Sequence, residues 1–202
     1  MKKMKTTILK LCLIILSFSL LGMGCEKEED FLELQIGDEN AVIIKEVDGI
    51  KFKFCLLNEQ GEPATVFNEG ENFTFQFAIK NSRPGSLPYY DYGYYEQEDF
   101  LAIKSNGKSK GRPFIFKGYN PTKELRWLMS GDYYSYNFMV PWHDERDEWQ
   151  LLWGFFEGAR QPYLEKGTYY TQFAYEFTFG MPGKEPELKT GLISFKINFE
   201  IK

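Results

Sequence analysis

The chain's 202 residues suit one domain preceded by a short leader, and 29 acidic against 24 basic side chains leave a formal charge of −5 at pH 7. That balance excludes the basic footprint of a nucleic-acid-binding protein and disfavours an anionic membrane surface as a partner. Three cysteines and one histidine supply neither a disulfide framework nor zinc-ligand spacing, so no metal or cofactor is expected.

In chain order, Lys2, Lys3, Lys5 and Lys10 precede the apolar run LCLIILSFSLLGM. This is the charged-then-apolar layout of a secretory signal peptide, and the run is too short for a membrane-spanning helix. Leu20-Leu21-Gly22-Met23-Gly24-Cys25 resembles a bacterial lipobox, with Gly22 where that motif carries leucine. The resemblance implies cleavage after residue 24 and lipidation of Cys25. Removal of four lysines and no acid makes the mature chain more acidic still. Glu26-Lys27-Glu28-Glu29-Asp30 is similar to the signal that sends Bacteroidetes lipoproteins to the cell surface. The expected organisation is a signal peptide over 1–24, a flexible acidic tether over 25–40 and one domain over 41–202. Its expected place is the bacterial outer membrane, with the domain on the cell surface, periplasmic-facing attachment being the alternative, and with the N-terminal lipid as its membrane contact.

The domain reads as strands. Ile50, Phe52, Phe54 and Leu56 alternate with Lys51, Lys53 and Cys55, and Phe73, Phe75, Phe77 and Ile79 alternate with Thr74, Gln76 and Lys80, which is the period of half-buried strands. Further strands are expected at Phe100–Lys104 and Pro113–Phe116, with Ser105-Asn106-Gly107 as a hairpin turn between them. Tyr133–Val140, Trp149–Phe156, Thr168–Phe179 and Leu192–Ile201 complete the set. Residues 121–129 hold at most a turn or two of helix. Many short strands separated by turn residues predict an all-β fold, a sandwich. With Cys25 given to lipid, Cys55 has no partner and is expected to be a small buried residue. Stability then falls to the aromatics of the mature chain, which keeps all of the 19 Phe but Phe18, with the 13 Tyr and 4 Trp.

The segment Leu164-Glu165-Lys166-Gly167-Thr168-Tyr169 resembles the tyrosine corner of immunoglobulin-like folds. Together with CLLNEQGEPATVFNEGENFTFQFAIKN, KGRPF and ISFKINFEI, it makes the chain similar to a group of uncharacterised Bacteroides lipoproteins. The resemblance implies an immunoglobulin-like antiparallel β-sandwich with long loop insertions, at the cell envelope. A fainter similarity, to BsuPI-type proteinase inhibitors, rests on the strand ending in Lys80-Asn81 and on the late Gly167-Thr168-Tyr169.

For function, Tyr89, Tyr90, Tyr92, Tyr94 and Tyr95 crowd an irregular stretch, and Trp142 stands near the lone His143. Tyrosine-rich loops on a sandwich are a common binding surface, so these six are the candidate ligand-binding residues for a glycan or protein, with Trp127, Trp149 and Trp153 as further platforms. Catalysis is the minority reading: His143 with Asp144, Asp147 and Glu148 has the composition of a solvated turn, and no HExxH, GxSxG or phosphate loop is present. A calcium site at Asp91, Glu96, Glu98 and Asp99 lacks EF-hand spacing. The expected protein is a non-catalytic, membrane-anchored binding module, with a proteinase inhibitor as the alternative and an unrecognised hydrolase a distant third.

Overall fold

The computed structural model describes residues 32–90, 95–117, 125–146, 150–151, 156–181, 183–184 and 187–202; the leader, Cys25 and the acidic run after it lie outside these. Among the described residues there are strands and no helix. They are β1 (Leu32–Leu34), β2 (Ile43–Val47), β3 (Ile50–Leu57), β4 (Val66–Phe67), β5 (Thr74–Asn81), β6 (Leu87–Tyr90), β7 (Ile103–Ser105), β8 (Lys108–Gly111) and β9 (Phe114–Phe116). The remainder are β10 (Leu125–Leu128), β11 (Tyr136–Pro141), β12 (Gln150–Leu151), β13 (Phe156–Gly158), β14 (Gly167–Phe179) and β15 (Leu188–Ile201).

Two sheets form the sandwich. The larger runs β1-β15-β14-β6-β10, with β4 also beside β15 and the β7–β8 hairpin beside β14; the smaller runs β11-β5-β3-β2. The chain crosses between them from β5 to β6, returns from β10 to β11, and crosses again to β14. The insertions expected from the long loops are the β7–β8 hairpin and a small third sheet, β12-β13-β9.

Alternation explains the core. Phe54 faces Phe77 in the β3–β5 ladder, and Phe173 faces Phe195 in the β14–β15 ladder. These two cross-strand pairs meet across the sandwich, Phe54–Phe173 at 5.3 Å and Phe77–Phe173 at 5.5 Å between centroids, both edge to face. Edge-on rings set the positive rim of one against the negative face of the next, which adds about 0.5–1.5 kcal/mol per pair beyond area burial. The tyrosine corner is present: the Tyr169 hydroxyl donates to the Glu165 carbonyl at 2.7 Å, and burial pushes its phenol above the usual range.

Several elements differ from expectation. Leu32–Leu34, inside the range 25–40 expected as tether, joins the larger sheet parallel to β15; a three-residue strand carries too little pattern to see. Residues 125–128, read as a possible helical turn, form β10, because pairing with β6 from Leu87 to Tyr90 overrides local preference. The strand expected over 149–156 is instead two short strands, β12 and β13, paired antiparallel. β2 was unpredicted although Asp48-Gly49, both at positive φ, is a hairpin signal of the same kind as Asn106-Gly107. As an edge strand β2 is blunted by Lys45, which pairs with core Phe52 yet is exposed.

Two substitutions test this packing with opposite signs. Tyr169→Phe should cost about 1 kcal/mol, the worth of one hydrogen bond. Thr171, fully buried on β14 with a hydroxyl that finds no partner among the described residues, should tolerate Thr171→Val with a gain of ~1 kcal/mol. Urea midpoints at constant slope read both.

Candidate functional site

The described members of the predicted aromatic site are core residues. Tyr89 and Tyr95 are each 5% exposed and Trp142 is 1% exposed, so none forms a presented platform. Tyr89 packs on Tyr136 and Phe179, and Tyr95 packs on Phe100 and Phe138 with its hydroxyl bonded to that of Tyr136. Trp142 stacks on Phe73 and donates from Nε1 to the Pro162 carbonyl at 2.9 Å. The physical reason is volume: a long insertion without a disulfide needs apolar anchors of its own. Tyr92, Tyr94, Trp149 and Trp153 lie outside the described residues, as does the side chain of Tyr90.

His143 is held structurally. Its Nδ1 lies 2.6 Å from the Gln161 carbonyl and its ring stacks on Tyr163 at 4.1 Å. The Asn72 side chain clasps its backbone, accepting from His143 N at 2.9 Å and donating to His143 O at 2.6 Å. Asp144 takes a two-pronged pair from Arg146, which holds its carboxyl below the usual range. Asp147 and Glu148 lie outside the description, as does Asp91. Of the calcium candidates, Asp99 pairs with Lys104 at 2.7 Å, while Glu96 and Glu98 are exposed. Among the described residues no three His, Cys, Asp or Glu side chains gather as a metal set. A cleft of about 340 Å³ on the smaller sheet, lined by Leu57, Asn58, Glu59, Gly61, Asn72, Thr74 and Met139, contains a single carboxylate, that of Glu59. Cys55 is fully buried beside Gln76, and desolvation pushes its thiol up to about 11.

What is presented instead lies where β10 leaves the larger sheet for β11. Trp127 is 49% exposed, Met129 50% and Tyr133 58%. Trp127 points outward because its strand neighbour Leu128 takes the core position on β10, and it stands opposite Pro88 in the β6 ladder. Tyr133 lies over Gly131, where an added Cβ would come within 3.1 Å of its ring. This rim is braced from beneath by Asn81, a fully buried polar residue at the end of β5. Its Nδ2 donates to the carbonyls of Gly85 at 2.9 Å and Leu128 at 3.1 Å, and its Oδ1 accepts from Arg83 N at 3.0 Å. Its own carbonyl accepts from Gly131 N at 3.2 Å, and the Ser130 hydroxyl donates to Arg83 O at 2.6 Å. One side chain therefore joins the turn leaving β5 to the segment carrying the exposed groups.

Sequence reasoning named Trp127 as a platform and missed Met129, Tyr133 and Asn81. The signal for Asn81 was an amide at the end of an apolar strand immediately before Ser82-Arg83-Pro84-Gly85, the position from which a side chain satisfies a turn's backbone.

No protein family, curated protein or solved structure matches the chain.

Asn81→Ala should destabilise the protein by roughly 2–3 kcal/mol, because it orphans the Leu128 carbonyl, whose bond to Asn81 is buried, rather than merely deleting a bond. Asn81→Asp should fare no better, since an ionised carboxylate cannot donate to the Gly85 and Leu128 carbonyls. Chemical denaturation measures both.

Proposed function

We propose that the protein is a non-catalytic binding module, tethered by lipid at Cys25 to the bacterial outer membrane and displayed on the cell surface, whose ligand, a glycan or a protein, docks on the rim formed by Trp127, Met129 and Tyr133. The observation that carries this reading is the exposure of those three apolar side chains on a frame braced by buried Asn81. Preorganised aromatic groups bind well because little freedom is lost when the ligand arrives. Met129 adds a soft, adaptable contact beside the two rings.

The leader, Gly24-Cys25 and the acid-rich run that follows support the anchor and the location, as does the similarity to Bacteroides surface lipoproteins. The engagement of His143 by Gln161 and Tyr163, and of Asp144 by Arg146, supports a structural use for the groups an enzyme would need. The same domain read as a proteinase inhibitor would silence at least one enzyme in a panel of serine proteinases.

Screening the mature domain on glycan and protein arrays, then repeating each positive with the double variant Trp127→Ala/Tyr133→Ala, tests the site. Truncating central aromatic anchors costs at least about 2 kcal/mol, so the double variant should bind about 30-fold more weakly or worse. Unchanged binding by a variant with the wild-type melting temperature would remove the site from this rim.

A further inference from the structure

The outer face of the smaller sheet carries a cleft that takes no part in the rim or the anchor. Leu57 stands opposite Thr74, and Thr74 opposite Pro141; Met139, two residues before Pro141 on β11, shares their face. Leu57 and Met139 thereby form an apolar floor beside the Thr74 hydroxyl in this cleft of about 340 Å³. That volume lies at the small end of the roughly 300–1,000 Å³ of ligand sites, and an apolar floor with a few convergent polar groups is their usual make-up.

The walls are fixed by hydrogen bonds within the domain itself. Asn58 closes the turn after β3: its Oδ1 accepts from Gln60 N at 3.0 Å and from Glu62 N at 2.8 Å, and its carbonyl accepts from Gly61 N at 2.9 Å. Gly61, at positive φ, adds no side chain to the opening, and a Cβ there would meet nothing within 4 Å. On the other wall Asn72 is held by its two bonds to the His143 backbone, and its N–H donates to Glu59 Oε1 at 3.2 Å. Among the described residues, Glu59 Oε2 and the Thr74 hydroxyl have no protein partner. Of the lining residues Glu59 alone is charged, so the cleft repels an anion and attracts a cation. Its floor suits an aliphatic stem behind the charged head, since long cationic chains lay their methylenes on apolar surface and keep the head among polar groups.

We propose that this cleft is a second binding site, for an alkyl cation: an ammonium or guanidinium on an aliphatic stem, the chemistry shared by lysine, arginine and the polyamines. The stem lies on Leu57 and Met139, and the head donates to Glu59 Oε2 and the Thr74 hydroxyl. The site stands independently of the rim, because it uses a different strand pair and a different kind of contact. Glu59 is exposed, and an ion pair open to solvent contributes modestly, so one such head group binds with a Kd in the millimolar range.

The test follows the Met139 methyl group by NMR in the full chain, in detergent and isotope-labelled at its methionine methyls, with the signal assigned by its loss in Met139→Leu. Nα-acetyl-lysine amide, Nα-acetyl-arginine amide and spermidine are each titrated, and neutral Nα-acetyl-norleucine amide serves as the control that offers a stem without a charge. The cations should shift the signal saturably and the norleucine compound should not. Glu59→Gln keeps an oxygen to accept from Asn72 N and removes only the charge, so it should weaken the cations about two- to fivefold at an unchanged melting temperature. Thr74→Val, which keeps the side chain's shape and removes its hydroxyl, should weaken them further in combination. Tighter binding of the amino-acid amides than of spermidine assigns the site to a lysine or arginine on a protein, and the reverse assigns it to a free polyamine. The proposal is overturned by the absence of a saturable shift with every cation, by an equal shift with the norleucine compound, or by unchanged affinity in Glu59→Gln.

Discussion

Four phenylalanines hold the two sheets together. Phe54 and Phe77 sit opposite each other in one ladder, Phe173 and Phe195 in the other, and the first pair meets the second at centroid distances from 5.3 to 6.0 Å. Each pair needs correct register within its own sheet, because a slip of one residue would turn every ring of that strand to solvent. Each also needs the other pair across the interface. Register and sheet packing are therefore one constraint, and the rest of the domain is arranged around it. Phe100, from the insertion after β6, closes on Phe77 and Phe173 and so brings that insertion into the same core.

A core of rings leaves a specific problem at its ends, where strands stop and backbone groups lose their partners. The domain answers with a few polar side chains, from fully buried Asn81 to half-buried Asn72. Asn81 satisfies the turn leaving β5, the Tyr169 hydroxyl ties β14 to its incoming loop, and Asn72 clasps the backbone of His143. Each such bond is worth only about 1 kcal/mol net, but leaving a buried partner unpaired costs more. The rim at the β10–β11 crossing follows from this economy: with Asn81 bracing the backbone, Trp127, Met129 and Tyr133 are not needed for packing and remain exposed.

The predicted aromatic site and the presented one differ for a related reason. Tyr89 and Tyr95 were read as loop residues, but in the fold each fills a position against Tyr136, Phe179, Phe100 or Phe138. A tyrosine in an irregular stretch looks the same in sequence whether its ring points at solvent or inward. Trp127 shows the converse, since its outward direction follows from Leu128 taking the core position on β10, a fact of pairing with β6 and not of local pattern.

The sequence by itself determined the all-β class and the strands β3, β5, β14 and much of β15, because strict alternation of apolar and polar side chains admits only one period. It determined the tyrosine corner, because that contact joins residues only four apart in the chain. Only the tertiary structure decided what depends on partners remote in sequence: the parallel addition of β1 to β15, the pairing that makes a strand of 125–128, the inward turn of Tyr89, Tyr95 and Trp142, and the bracing of residues 128–131 by Asn81. Local pattern records which face of a strand is apolar. It does not record which distant backbone carbonyl an amide will reach, or which ring the remaining space admits, since those are settled only when the two sheets close on each other.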